Sequence, residues 1–261
     1  MNTLQDRMER RLHQINASAS ILITAGDSPL FSRDEDTSLR AASVIKVPIM
    51  MEAFRQHQAG TLNLDNVQNI HPTETVGGAG VIHYLSGKQD YTLRQLIELM
   101  IIVSDNTAAN LVLEAVGMEN VNALLKQLGC EHSVIERFFM DSEAIENGLE
   151  NWTTARDMVT CLQAIYEHHP LFIKEDQMKM KKVLQNQQFK DLLGSFTSSE
   201  EIMTYHKTGE LEGAEHDAGI FEYRGKTIYA AVLTDGLSRN QEGREMIASV
   251  GQWIAEEIAK D

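Results

Sequence analysis

Cysteine is scarce in this chain: Cys130 and Cys161 are the only two among 261 residues. They form no Cys-x-x-Cys pair and both fall at apolar positions of helical patterns. That excludes a disulfide framework or a thiolate metal centre and leaves buried free thiols as the expectation. Basic residues are the second shortage. The 23 Lys and Arg against 38 Asp and Glu leave a formal net charge of −15, the wrong sign for neutralising phosphates, so DNA and RNA are excluded as partners. The acidity is read as serving solubility before any steering of a cationic substrate. Long apolar runs are also lacking: nothing approaches the ~20 residues of a membrane span, and no membrane partner is expected. Met1–Ile15 is charged and amphipathic, without the apolar centre of a signal peptide. A cytoplasmic location is therefore the expectation, and secretion if a leader has been removed. Internal repeats, low-complexity tracts and linkers are missing too.

What is present is enough for a large core. An apolar content of 43% fits a globular chain, and at this length folding buries roughly 70–75% of the surface the unfolded chain exposes. Leu4, Met8, Leu12 and Ile15 recur at helical spacing, then Ala17–Ala25 turns β-rich before the turn signal Gly26-Asp27-Ser28-Pro29. The pattern is helical from Ser43 to about Ser195. Helices are predicted over Ser43–Ala59, Leu93–Val103, Thr107–Val116, Val121–Leu128 and Ala155–His168, the last capped by Thr154 with Asp157 as capping-box partner. Strands return at Ile202–Lys207, Ala218–Tyr223 and Thr227–Thr234, and a final helix is predicted from Glu242 to Ala259. The reading is a single α+β catalytic domain, 1–261. An antiparallel sheet built from both termini and flanked by the terminal helices (1–40 plus 200–261) carries an inserted all-helical lobe (41–199), with a cleft between. The loosest segments are His71–Gly80 and Asp141–Trp152.

Three short motifs could carry chemistry. Ser43-Val44-Ile45-Lys46 puts a hydroxyl and an amine on one helical face. A serine is a weak nucleophile until a base takes its proton, and a lysine serves as that base only if burial or neighbouring cations lower its pKa. Lys46 lies in the apolar run from Ala41 to Met51, an odd place for a solvated lysine. Pro48 in the same helix should kink it. At a helix start the Ser43 N–H is also free to face a developing oxyanion. Ser104-Asp105-Asn106 offers a second hydroxyl and a carboxamide on a loop. Lys207-Thr208-Gly209, ending a strand, offers a cation, a hydroxyl and a bare backbone that could hold a carboxylate. Taken singly, each is as well explained by capping, a solvated lysine or a strand end.

Together and in this order they resemble the class A β-lactamases and penicillin-binding proteins, whose signature is Ser-x-x-Lys, Ser-Asp-Asn and Lys-Thr-Gly. The resemblance covers most of the chain and implies a β-lactamase/transpeptidase-like fold. It also implies roles. Ser43 would be the acylated nucleophile and Lys46 the base or proton relay. Ser104 would pass a proton to the leaving nitrogen, and Asn106 would hold Lys46 and a substrate amide. Lys207 and Thr208 would bind the substrate carboxylate, with Gly209 leaving the strand backbone bare, and the Glu210 N–H would join that of Ser43 in the oxyanion hole. Gly213, Asp217 and the Thr227–Thr234 strand resemble the family's C-terminal sheet.

One departure matters. The family β-lactamases carry Arg-x-Glu-x-x-Leu-Asn on a loop, with the Glu activating the deacylating water. Here the loop reads Glu136-Arg137-Phe138-Phe139-Met140-Asp141-Ser142-Glu143, and alignment on Arg137 puts Phe139 at the Glu position. Asp141 or Glu143 could substitute from another register, though solvated loop acids are the simpler reading. The expected function is a β-lactamase-like serine hydrolase working through an acyl-enzyme on a small β-lactam, amide or ester, with slow deacylation. The alternatives are a cytoplasmic esterase or amidase, a penicillin-binding protein without efficient turnover, and a silent binding module. A monomer without cofactor is expected. His206 and His216 lack metal-ligand spacing, so no metal is expected, and both are read as surface or cleft-lining. The Met178–Met203 cluster is read as core filler, and Gly77-Gly78-Ala79-Gly80 as a turn.

Overall fold

Two β-rich stretches from opposite ends of the chain meet in one antiparallel sheet. The computed structural model describes residues 3–195 and 201–260. Helix α1 (Leu4–Leu12) precedes the hairpin β1 (Ser18–Ala25) and β2 (Ser28–Arg33). Short strands follow, β3 (Leu39–Arg40), β4 (Val67–Asn69), β5 (Asp90–Thr92) and β6 (Trp152–Thr153), pairing β3 with β6 and β4 with β5. The meander β7 (Met203–Leu211), β8 (Ala214–Tyr223) and β9 (Lys226–Asp235) completes the main sheet, whose order is β2-β1-β9-β8-β7. In β1 and β9, Ser18 stands opposite Asp235 and Ala25 opposite Ile228.

Both faces of this sheet are covered, so its central strands are apolar at successive positions. Ile21, Ile23, Ala230 and Val232 point to a core shared with Leu4 and Met8 of α1 and with Ile247, Val250 and Ile254 of α9 (Asn240–Ile258). Leu22, Ala231 and Leu233 point to the other core, built with the helices. At its centre runs α2 (Lys46–Gln58), buried at every position from Lys46 to Phe54. Around it pack α3 (Leu93–Ile102), α4 (Asn106–Val116), α5 (Met118–Gln127), α7 (Ala155–Tyr166) and α8 (Lys174–Gln185), while α6 (Ser142–Glu146) is a single turn within a loop.

Several expectations from the sequence are corrected. Ser43–Ala59 is not one helix: residues Ala42–Ile45 form a 3-10 turn and α2 starts at Lys46. Pro48 therefore sits in the first turn, where its missing N–H would have no intrahelical partner, and no kink is required. The strand at Lys207 does not stop there but runs on to Leu211. Thr154 does cap α7, accepting the Asp157 N–H at 3.1 Å, but the Asp157 carboxylate turns to Ser133 and the His132 N–H instead of closing a capping box. Cys130 lies just after α5, not within a helix; it and Cys161 are buried free thiols with Sγ atoms 3.9 Å apart. The methionine cluster is mixed, with Met180 buried and Met178 exposed. The expected lobe boundary at 199/200 lies outside the described residues, and among the described residues no helix is long and apolar enough to cross a membrane.

Candidate active site

Ser43 occupies the 3-10 turn ahead of α2, half-buried, and Ala42 before it is held at φ +46°. A side chain in this left-handed region costs about 1–2 kcal/mol and persists only where the surroundings impose it. The edge strand β7 does so: a Cβ on Gly209 would lie 3.1 Å from the Ser43 nitrogen and 3.2 Å from the Ala42 Cβ, so close that a side chain there would press the turn aside. From β8, His216 donates from Nε2 to the Arg40 carbonyl at 2.7 Å, and its Nδ1 accepts the Thr234 N–H at 3.2 Å. Burial lowers its pKa, and the two bonds together need the neutral tautomer. His216 is thus a buried brace for the segment entering the Ser43 turn, not a surface or cleft residue.

Lys46 is fully buried. Its Nζ donates to the Ser104 carbonyl at 2.7 Å and the Asn106 Oδ1 at 2.8 Å, and lies 3.3 Å from the Ser104 Oγ. Ser104 can offer both oxygens because its backbone is left-handed, φ +56°. Burial, aided by the charge of Lys207, holds the Lys46 pKa well below that of an ordinary lysine, against a smaller opposing pull from Asp105. Lys207, equally buried, donates to the Ser104 Oγ at 3.0 Å and the Thr208 carbonyl at 2.7 Å. Burial pushes its pKa down to about 7. One hydroxyl therefore bridges two lysine amines, each with an unusually weak hold on its proton.

Asp105, which the sequence offered only as a cap, organises the roof of the site. Its Oδ1 accepts the Ala108 N–H at 2.9 Å, and its Oδ2 accepts the N–H groups of Val81 and Ile82 at 2.7 and 2.9 Å. Gly80, at φ +115°, passes so close that a Cβ would stand 2.4 Å from that Oδ2. The Gly77–Gly80 turn is thereby fixed, with Gly78 and Ala79 lining the same space as Ser43. Asn106 spends one amide hydrogen on the Gly77 carbonyl, 3.1 Å away.

The loop after Arg137 is pinned at its neck and middle. Arg137 Nε donates to Glu150 Oε1 at 2.9 Å, and Asn151 Oδ1 accepts the N–H groups of Glu136 and Arg137. Asn110 on α4 accepts the Phe139 N–H at 2.8 Å and donates to the Phe139 carbonyl at 3.0 Å. Phe139 is buried, and its ring faces Lys46. Asp141 caps α6 by accepting the Ala144 N–H at 3.0 Å, and Glu143 is exposed; neither is among the residues lining the space around Ser43. The sequence carried no signal for Asn110 or Asn151, whose roles depend on which distant backbone groups reach them.

Two cavities share Ser43. The smaller, about 250 Å³, is lined by Ser104, Thr208, Glu210, Glu215 and Arg244; the larger, about 360 Å³, by Asn106, Phe139, Met140, Ile145 and Leu211. Ser43, Lys46, Ser104, Asn106, Lys207, Thr208, Gly209 and Glu210 are thus brought together from a 3-10 turn and the α2 start behind it, an interhelical loop and the α4 start behind it, and an edge strand. His206 stands apart: it is buried, with Nδ1 3.0 Å from the Asp217 carboxylate, and not cleft-lining as expected.

An antiparallel sheet covered by terminal helices on one face and a helical lobe on the other, with a serine and two lysines at the seam, is the β-lactamase/transpeptidase-like fold. The chain belongs to the β-lactamase enzyme family, whose model matches residues 3–258, and is a hydrolase of the class A type. A β-lactamase structure from Sphaerobacter thermophilus superposes with a TM-score of 0.88 at 27% identity, covering 96% of each chain. A mutant of PBP-A, solved as an acyl-enzyme complex with penicillin G, superposes at 0.86 with 24% identity, covering 97% of this chain and 95% of that one. A curated β-lactamase of Bacteroides uniformis is 21% identical across 97% of this chain and 90% of that protein.

Proposed function

We propose that this β-lactamase-like serine hydrolase transfers the acyl group of β-lactam-type amides to Ser43 and releases it slowly. The observation that carries the reading is the Ser104 hydroxyl held between two buried lysine amines, 3.3 Å from Lys46 and 3.0 Å from Lys207. A neutral Lys46 takes the Ser43 proton as Oγ attacks the carbonyl carbon, with the N–H groups of Ser43 and Glu210 receiving the developing oxyanion. The new C–O bond forms, the C–N bond breaks, and the proton returns through Ser104 to the departing nitrogen. That leaves acyl-Ser43 and a free amine. Lys207, with Thr208 beside it, receives a carboxylate on the leaving half.

Slow release is supported by what faces the ester. Phe139 holds the place where the family's β-lactamases carry the water-activating Glu, and Asp141 is committed to capping α6. A mutant of PBP-A, which shares the fold, has been solved as an acyl-enzyme with penicillin G, which supports acylation as the chemistry of this scaffold. Intact-mass measurement after exposure to a penicillin and to a fluorophosphonate tests the reading. One adduct that vanishes in Ser43→Ala is expected. No adduct with either probe, or one that persists in the variant, would end it. Labelling by the fluorophosphonate alone would favour the esterase or amidase alternative.

A further inference from the structure

The charge of the smaller cavity bears on the substrate, on the reading that Ser43 is acylated. Ser104, as proton donor to the leaving nitrogen, places the leaving half of the substrate in this cavity and the acyl half in the larger one, whose walls include Phe139, Met140, Ile145 and Leu211. Three carboxylates line the leaving-half cavity against a single guanidinium. Glu210 on β7 stands directly opposite Glu215 on β8, a like-charge cross-strand pair that weakens a sheet, and Asp191 adds a third. Arg244 from α9 pairs with Asp191 and lies 3.5 Å from both Glu210 Oε2 and Glu215 Oε2. It is therefore occupied by the wall's own acids. Lys207 is turned to Ser104 and the Thr208 carbonyl.

Glu215 is the most telling of the three. Its side chain is 1% exposed, bonded by Asn240 at 3.0 Å, and burial pushes its pKa up to about 7, so it adds its charge to the wall as pH rises through that value. The acids by themselves are not a site; the serine, its hydroxyl relay and the cavity make one, and the acids set its charge. Unfavourable charge retained beside a catalytic group is where function overrides stability.

We infer that the substrates of this site carry a positive charge, an ammonium or quaternary ammonium, on the leaving half, beyond the carboxylate that Lys207 and Thr208 receive. The leaving group is then zwitterionic. Its carboxylate sits near Ser104, and its cation reaches the wall formed by Asp191, Glu210 and Glu215. A neutral or purely anionic leaving half would face three carboxylates that share one guanidinium.

Two cephalosporins with the same acyl side chain test this, one with a quaternary ammonium on its C3 substituent and one with a neutral ester there. Second-order acylation constants of the full chain, read by intact mass, are expected to favour the cation by roughly 10-fold or more at low salt. The ratio should shrink as salt is raised, fall in Asp191→Asn and rise in Arg244→Gln, where the wall loses its own counter-ion. Equal constants, preference for the neutral ester, or a ratio that falls in Arg244→Gln would overturn the inference while leaving Ser43 as nucleophile. No adduct from either compound would overturn that assignment and the inference with it.

Discussion

The Nζ of Lys46 stands 4.6 Å from the centroid of the Phe139 ring. A cation is attracted to an aromatic face, but a phenyl ring accepts no proton. The residue that faces the Lys46 amine from the loop can therefore shield it from water and cannot activate water. Asn110 clamps the Phe139 backbone on both sides, N–H and carbonyl, so the ring is held in place by the loop and not by chance packing.

Phe139→Glu should convert a slow acyl-enzyme into a turning-over one. General-base assistance is worth about 10²–10⁴-fold, and the deacylation rate with nitrocefin, followed from milliseconds to minutes, should rise by a factor in that range. The parent should show a burst followed by a slow steady state. Rapid linear turnover by the parent would mean that water is activated from elsewhere in the cavity.

Lys46→Met should abolish acylation and raise the melting temperature. A buried lysine with a depressed pKa binds its proton in the unfolded chain up to about pH 10.4 but not in the folded one, so at neutral pH it lowers stability, and the loss is relieved only as pH rises toward that value. Met keeps the stem's volume and removes that cost, against about 1–3 kcal/mol for leaving the Ser104 carbonyl and Asn106 Oδ1 without this donor, and each kcal/mol gained is about 2–4 °C at this size. Calorimetry and intact-mass labelling on the same variant check both halves. A variant that acylates at the parent rate would remove Lys46 from the mechanism.

Acylation by an anionic β-lactam should depend on pH in two limbs. It rises as Lys46 loses its proton and becomes a base, and falls near pH 7 as Lys207 loses the charge that receives the carboxylate. Arginine stays charged at all relevant pH. Lys207→Arg should therefore move the falling limb out of range while keeping the rising one. Stopped-flow acylation from pH 5 to 10 decides this, and a falling limb unmoved by Lys207→Arg would assign it to another group.

Asp105→Asn should loosen the roof without unfolding the protein. The amide can keep one acceptor oxygen but sets an NH₂ where the carboxylate now takes N–H bonds from Val81 and Ile82 or from Ala108. Leaving buried donors unsatisfied costs about 1–3 kcal/mol. Faster amide exchange at Val81 and Ile82, with slower acylation of Ser43, is the expected pair of effects. Unchanged exchange would show that the turn is held by other contacts.

Much of the site was legible in the chain because its groups come in short local motifs. Ser43 and Lys46 are three residues apart, Ser104 and Asn106 two, and Lys207 to Gly209 are consecutive, so each piece is visible before folding. An apolar run around Lys46 already announced a buried amine, and Phe139 already stood where a carboxylate was expected. The sheet from both termini was equally legible, since β-rich stretches at the two ends need partners that the helical middle cannot supply.

Tertiary structure alone decided how these pieces act on one another. Sequence could not show that one Ser104 hydroxyl sits between two lysines, because that requires a left-handed Ser104 and an edge strand brought alongside residues more than 100 positions earlier. Nor could it show that His216 is a buried brace, or that Asp105 holds the roof. Histidine and aspartate carry no local periodicity, and their partners, Arg40, Thr234, Val81 and Ile82, are chosen by strand register and loop path. The opposition of Glu210 and Glu215 belongs to the same class. It follows from the pairing of β7 with β8, and charge at one strand position has meaning only once its neighbour across the ladder is known. Local chemistry is written along the chain, whereas pKa, burial and charge balance are properties of neighbours in space, and these only the fold supplies.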